Sequence, residues 1–224
     1  TTTRKFVITD GVKFGSVMSR DRAVKDGFVV TAGTWVPLRY TVEGKVPGSA
    51  LEYYDILQEE ESLIGSPAGC HLAMWWDCPE KATVRADWSV PSKPGTYTLR
   101  FAARESQDAG ISEITRTFTV QPAAAIKASV SSSTVPVGRA VTVRGQVVRT
   151  DSGRGVADVP VRLEWRKAGT TTWTAVASRT TGQYGKVEAR PIRRVTGSYR
   201  WVTPGVLGKL GPARSAKLRV TVIS

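Results

Sequence analysis

The chain has 224 residues, and the 41% that are hydrophobic suffice for two modest cores and exclude a disordered chain. No apolar run reaches the roughly 18 residues of a membrane-spanning helix. The net charge of +13 is uneven: residues 1–120 carry 14 Lys/Arg against 15 Asp/Glu, and residues 121–224 carry 18 against 4, so only the second half attracts polyanions strongly. Thirteen of those 18 cations are Arg, a side chain suited to phosphate and carboxylate and equally a product of a GC-rich genome. The first residue is Thr1 and no basic-then-apolar leader follows, which reads as a mature or trimmed product.

Short alternating segments dominate. Val36, Leu38, Tyr40 and Val42 form the first clear period-2 set; Val84, Ala86, Trp88 and Val90 form the next; Tyr97, Leu99, Phe101 and Ala103 follow. Such alternation places one set on a core and the other in solvent. Pro47-Gly48, Pro94-Gly95 and Asp108-Ala109-Gly110 supply turns between them. Leu51–Leu63 is ambiguous between a short helix and a strand leading into a solvated acidic loop at Glu59-Glu60-Glu61. A cation site at that acid run is the less favoured reading.

Cys70 and Cys78 are the only cysteines. Their even count and close spacing suit one disulfide and an oxidising compartment; two reduced, buried thiols are the alternative. Between them, Leu72, Met74 and Trp76 alternate as a strand facing a core, which puts Trp75 on the opposite parity. Trp75 is either an exposed aromatic contact for sugar or protein, or a residue packed under a neighbouring loop or against the second domain.

A boundary falls at Gln121-Pro122-Ala123-Ala124-Ala125, because Pro122 cannot donate to a strand ladder. The expected organisation is a near-neutral domain over 1–121, a short linker over 122–125 and a basic domain over 126–224. In the second domain seven candidate strands appear: Ile126–Val130, Val141–Val147, Val161–Trp165, Trp173–Ser178, Val187–Ala189, Tyr199–Trp201 and Leu218–Val222. Seven short strands with regular turns indicate an immunoglobulin-like sandwich. The fold class is therefore all-β, two tandem immunoglobulin-like (Greek-key) β-sandwich domains. Tyr97 and Tyr199 each follow a strand-opening glycine, the placement of a tyrosine corner.

These residues also resemble known families. TVRGQVV, DVPVRLEWRKAGTTTWTAVAS, TTGQYGKVEA and GSYRWVTPG resemble the Ig-like modules of secreted actinobacterial proteins over about 95 residues. The first half, through Pro94-Gly95-Thr96-Tyr97-Thr98-Leu99 and Ala103–Gly110, resembles bacterial Ig-like or cadherin-like domains. Glu105 and Ile111 stand where those relatives carry Asp and Asn, so the resemblance does not carry a calcium site across. A weaker likeness, through the paired cysteines, is to small secreted Streptomyces proteins of unknown function. The resemblance implies an exported, envelope-associated module.

Catalytic chemistry has little to draw on. His71 is the only histidine, and it lies between the two cysteines. Cys70, His71, Asp77 and Cys78 lack a second ligand pair at zinc-finger spacing. No phosphate-binding glycine loop appears, and no catalytic residue, metal site or cofactor is assigned. The favoured reading is a non-enzymatic structural or interaction module, with another protein or an anionic cell-envelope polymer as partner. The alternatives are a binding module for teichoic acid, acidic polysaccharide or nucleic acid, and an accessory region of a larger exoenzyme or adhesin.

Parity supplies one specific surface. With Trp165, Tyr199, Trp201, Leu218 and Val220 inward, Arg162, Arg166, Arg200, Lys217 and Arg219 point outward. Their segments are the third, sixth and seventh strands, which share a sheet in an immunoglobulin-like domain. Five cations would then crowd one face with Glu164 as its only acid. Such a cluster repels itself, and is either tolerated as a solvated face or used for an anion.

Overall fold

The structure is a computed structural model, and it describes residues 12–20, 22–44, 53–58, 61–64, 81–104 and 112–224. The chain divides into two compact units, Thr1–Val120 and Gln121–Ser224. Both are β-sandwiches, and no α-helix occurs among the described residues.

In the first unit the strands are β1 (Val12–Phe14), β2 (Met18–Ser19), β3 (Arg22–Ala23), β4 (Phe28–Thr31), β5 (Trp35–Gly44), β6 (Tyr53–Gln58), β7 (Glu61–Ile64), β8 (Lys81–Ser89), β9 (Gly95–Arg104) and β10 (Ser112–Gln121). One sheet is built on β5, which pairs with β1, β2 and β8. The other has the order β4-β10-β9-β6-β7. The ambiguous Leu51–Leu63 stretch thus contributes a hairpin, β6 paired with β7, rather than a helix. Glu61 opens β7; Glu59 and Glu60 lie outside the described residues. The core is aromatic. Trp88 meets Phe118 edge-on at 4.4 Å, and Tyr40 meets Phe101 at 5.1 Å. The Tyr97 hydroxyl donates to the Lys93 carbonyl at 2.8 Å, which makes it a tyrosine corner.

The second unit contains β11 (Ala124–Val130), β12 (Thr134–Pro136), β13 (Val143–Arg149), β14 (Pro160–Lys167), β15 (Thr174–Thr180), β16 (Lys186–Ala189), β17 (Gly197–Thr203), β18 (Ala213–Arg214) and β19 (Leu218–Ile223). Sheet order is β11-β13-β16 on one side and β12-β19-β17-β14-β15 on the other. The chain crosses between the sheets at each step from β11 to β14 and from β15 to β17, while β14–β15 and β17–β18–β19 stay in one sheet, an arrangement of the immunoglobulin type. Ala124 and Ala125 pair with Arg149 and Val148, so β11 starts inside the stretch read as linker.

Alternation builds this core directly. Along β17, Gly197, Tyr199, Trp201 and Thr203 are buried, while Ser198, Arg200 and Val202 are less so. Trp201 lies across β13 at Gly145. A Cβ there would stand 2.9 Å from Trp201 Cδ1 and 2.9 Å from Val187 Cγ1, so the sandwich needs glycine at this point. Tyr199 differs from its counterpart in the first unit. Its hydroxyl is buried without a hydrogen-bond partner, which corrects the expectation of a second tyrosine corner. Burial raises its pKa, and the nearby Arg193 charge opposes that rise.

Candidate functional site

The outer face of β14, β17 and β19 is arranged in rungs. Arg162 is registered with Val202, and Val202 in turn with Arg214 of β18. Glu164 is registered with Arg200. Ser198 lies between Arg166 on one side and Arg219 on the other. Lys217 is the exposed residue just before β19. Neighbouring strands are about 4.8 Å apart and alternate residues about 6.8 Å apart, so these cations fall within roughly two Debye lengths of one another.

The five cations expected here are not equivalent, and the reason is Glu164. Its side chain is 8% exposed although it points away from the sandwich core. Arg162 donates to Oε1 from Nε at 3.1 Å and from Nη2 at 2.7 Å. Arg200 donates to Oε2 from Nε at 2.8 Å, with Nη2 at 2.7 Å. Burial alone would raise the Glu164 pKa, but the hydrogen bonds and charges of the two guanidiniums outweigh it and hold the carboxyl below its ordinary value.

Trp173, just before β15, closes the cluster. The Arg200 guanidinium carbon sits 4.0 Å from its ring centroid and that of Arg166 5.0 Å away. Both distances lie within cation–π range. The self-repelling stripe expected from parity is therefore relieved from within: Glu164 offsets Arg162 and Arg200, and Trp173 seats two guanidiniums. Arg166, Lys217 and Arg219 form no ion pair with a described residue. Parity alone missed two members, Trp173 and Arg214. Trp173 sits in a connection, and Arg214 belongs to a strand of two residues.

At the Arg162 end the face opens into a groove of about 780 Å³, lined by Arg162, Arg179 and Arg214 together with Val202, Pro204 and Pro212. No acidic and no aromatic residue lines it among the described residues. The opposite sheet carries a depression of about 620 Å³ in which Glu188 is a lining residue. Glu188 there bridges Arg144 at 3.1 Å and Arg190 at 3.0 Å, which offsets its charge.

Acid–base chemistry gains no support in this unit. The carboxyls of Asp151, Glu164 and Glu188 all lie below their ordinary values, held there by arginine partners. A general acid needs the reverse shift. Among the described residues no group of three His, Cys, Asp or Glu side chains could hold a metal ion, and no helix is long and apolar enough to cross a membrane. Cys70, Cys78, His71, Asp77, Trp75 and Trp76 lie outside the described residues, as do Glu105 and Ile111.

No protein-family model and no curated protein matches the chain. Among solved structures it is similar to the D0-D1 domain of intimin, with 15% identity, 93% of this chain and 98% of that one covered, and a TM-score of 0.31. It is also similar to fibronectin(III)-like modules of Clostridium thermocellum CbhA, with 13% identity, coverage of 92% and 93%, and a TM-score of 0.40. The Yersinia pseudotuberculosis adhesin InvE matches with 8% identity, coverage of 94% and 60%, and a TM-score of 0.34. Likeness at this level is too slight to carry an argument, and the immunoglobulin-like fold rests on the strand order and register described above.

Proposed function

We propose that this chain is a non-enzymatic, secreted or envelope-associated interaction module, and that the arginine-lined sheet of its second unit is a contact surface for an anionic polymer. The observation that carries the reading is the set of outward arginines on β14, β17, β18 and β19, with a single acid that is itself buried among them. A purely solvated face has no need of order. Here Arg162 and Arg200 are fixed by a shared carboxylate, Arg200 and Arg166 rest on Trp173, and Arg166, Arg214, Lys217 and Arg219 form no ion pair with a described residue. Fixed guanidiniums lose less side-chain entropy on binding than mobile ones. Two closely spaced cysteines, read as a disulfide, and the sequence resemblance to exported modules support an extracellular setting.

Retention of the protein on immobilised polygalacturonate and on immobilised polyphosphate tests the reading. The wild type should be retained on at least one polymer at low salt and released as salt rises. Arg166→Glu with Arg219→Glu should abolish retention and leave the circular dichroism unchanged. Arg162 is unsuited to this purpose, because charge reversal there also breaks the pair with Glu164. Failure of the wild type to bind either polymer, or full retention of the double variant, contradicts the proposal.

A further inference from the structure

We infer that the groove between Arg162, Arg179 and Arg214 is a binding site for a carboxylated polysaccharide. The inference rests on the reading of the sheet as a polyanion surface and gives that surface a substrate class. Arg162 and Arg214 flank Val202 on successive strands, so their Cα atoms stand about 9.6 Å apart with an apolar residue between them. Pro204 and Pro212 extend the apolar floor; Arg179, registered with the buried Val161, starts on the other face of the sheet and lines the groove only from the β15 edge.

Each arginine keeps donors to spare. Arg162 commits Nε and Nη2 to one oxygen of Glu164, which leaves Nη1 and fixes the plane of the guanidinium. Its side chain is 53% exposed, so it is ordered and open to a ligand together. Arg179 uses Nη1 on the neighbouring Ser178 carbonyl at 2.8 Å, leaving Nε and Nη2. Arg214 forms no ion pair with a described residue. Two guanidiniums on the outer face and a third at the β15 edge, with no acid among the described lining residues, select an anion.

Repeated cations alone do not say which polymer. The floor between them does. A pyranose ring presents C–H groups that pack on Val and Pro side chains, while its carboxylate takes an arginine fork. Polyphosphate has no apolar face to place there. Single-stranded nucleic acid binds through aromatic side chains on which bases stack, and this groove has none. A polymer of uronic-acid type, alternating carboxylate and ring face, matches both parts.

The test measures binding of the intact chain to galacturonate oligosaccharides, to the same oligosaccharides as full methyl esters, to polyphosphate and to oligo-dT. Galacturonate should bind most tightly, and methyl esterification should abolish binding. Arg179→Gln with Arg214→Gln should weaken galacturonate binding about tenfold or more, the equivalent of one lost charge-assisted pair. Arg214→Lys should retain part of the affinity. Wild-type affinity in Arg179→Gln/Arg214→Gln overturns the groove. If that variant binds like the wild type while Arg166→Glu/Arg219→Glu abolishes binding in the same assay, the broader sheet reading stands and only the groove falls. Preference for polyphosphate or oligo-dT, or indifference to esterification, overturns the polysaccharide. Binding of none of the four probes overturns both readings.

Discussion

Glu164→Gln removes one charge and no volume from the centre of the arginine face. The guanidinium of Arg200, on a side chain 17% exposed, then loses its counter-ion, while Arg162, 53% exposed, hydrates freely. Breaking a buried pair costs about 3–5 kcal/mol, and Arg200 keeps the Trp173 ring, a contact of about 1 kcal/mol. With one partner open to water, the expected loss is about 2–3 kcal/mol in the second unit. The pH dependence has a definite sign. The Glu164 carboxyl in the folded chain lies below its ordinary 4.5, so its contribution is complete above that value and is lost as pH falls through the folded pKa. Wild type and variant should therefore differ at about pH 7 and converge in strong acid. Denaturant-dependent hydrogen exchange with peptide-level mass spectrometry reads the second unit separately from the first. Equal protection of β14 and β17 at neutral pH, or a difference undiminished in strong acid, refutes the account of Glu164. Binding should move the opposite way: with its acid gone, the face should hold a polyanion to higher salt than the wild type does.

Tyr97→Phe should cost about 1 kcal/mol, because it deletes the bond to the Lys93 carbonyl, whereas Tyr199→Phe should be neutral or stabilising, because its buried hydroxyl has no partner. Thermal melting of the two variants side by side decides this, and an equal loss in both contradicts it. Gly145→Ala should destabilise the second unit by about 1–3 kcal/mol through overpacking against Trp201 and Val187, read as a lower denaturation midpoint. Intact-mass analysis of protein from an oxidising host should show Cys70 and Cys78 two hydrogens lighter than after reduction; two alkylatable thiols would refute the disulfide.

The strands were legible because hydrophobic alternation acts locally. Leu99 and Phe101 on β9, and Tyr199 and Trp201 on β17, bury as their parity requires. The outward direction of Arg162, Arg166 and Arg200 was equally legible. What Glu164 does was not. Its carboxylate is held by Arg162 two residues away and by Arg200 on the neighbouring strand, whose guanidinium rests on Trp173 in a connection, and such convergence has no period. Arg214 escaped because β18 is too short to alternate. The Tyr199 hydroxyl escaped for a related reason. The Gly-x-Tyr placement is shared with Tyr97, but whether a backbone carbonyl meets the hydroxyl depends on the path of the preceding loop, which no sequence period reports. The β6–β7 hairpin was obscured by an acidic run that favours neither strand nor helix.

Arginine side-chain Nε resonances, followed during titration with galacturonate oligosaccharide, test the central claim most directly. The account predicts shifts at Arg162, Arg166, Arg179, Arg214 and Arg219, and none at Arg144 and Arg190, which Glu188 holds on the opposite sheet. Shifts centred on Arg144 and Arg190, or equal shifts across both sheets, would contradict it.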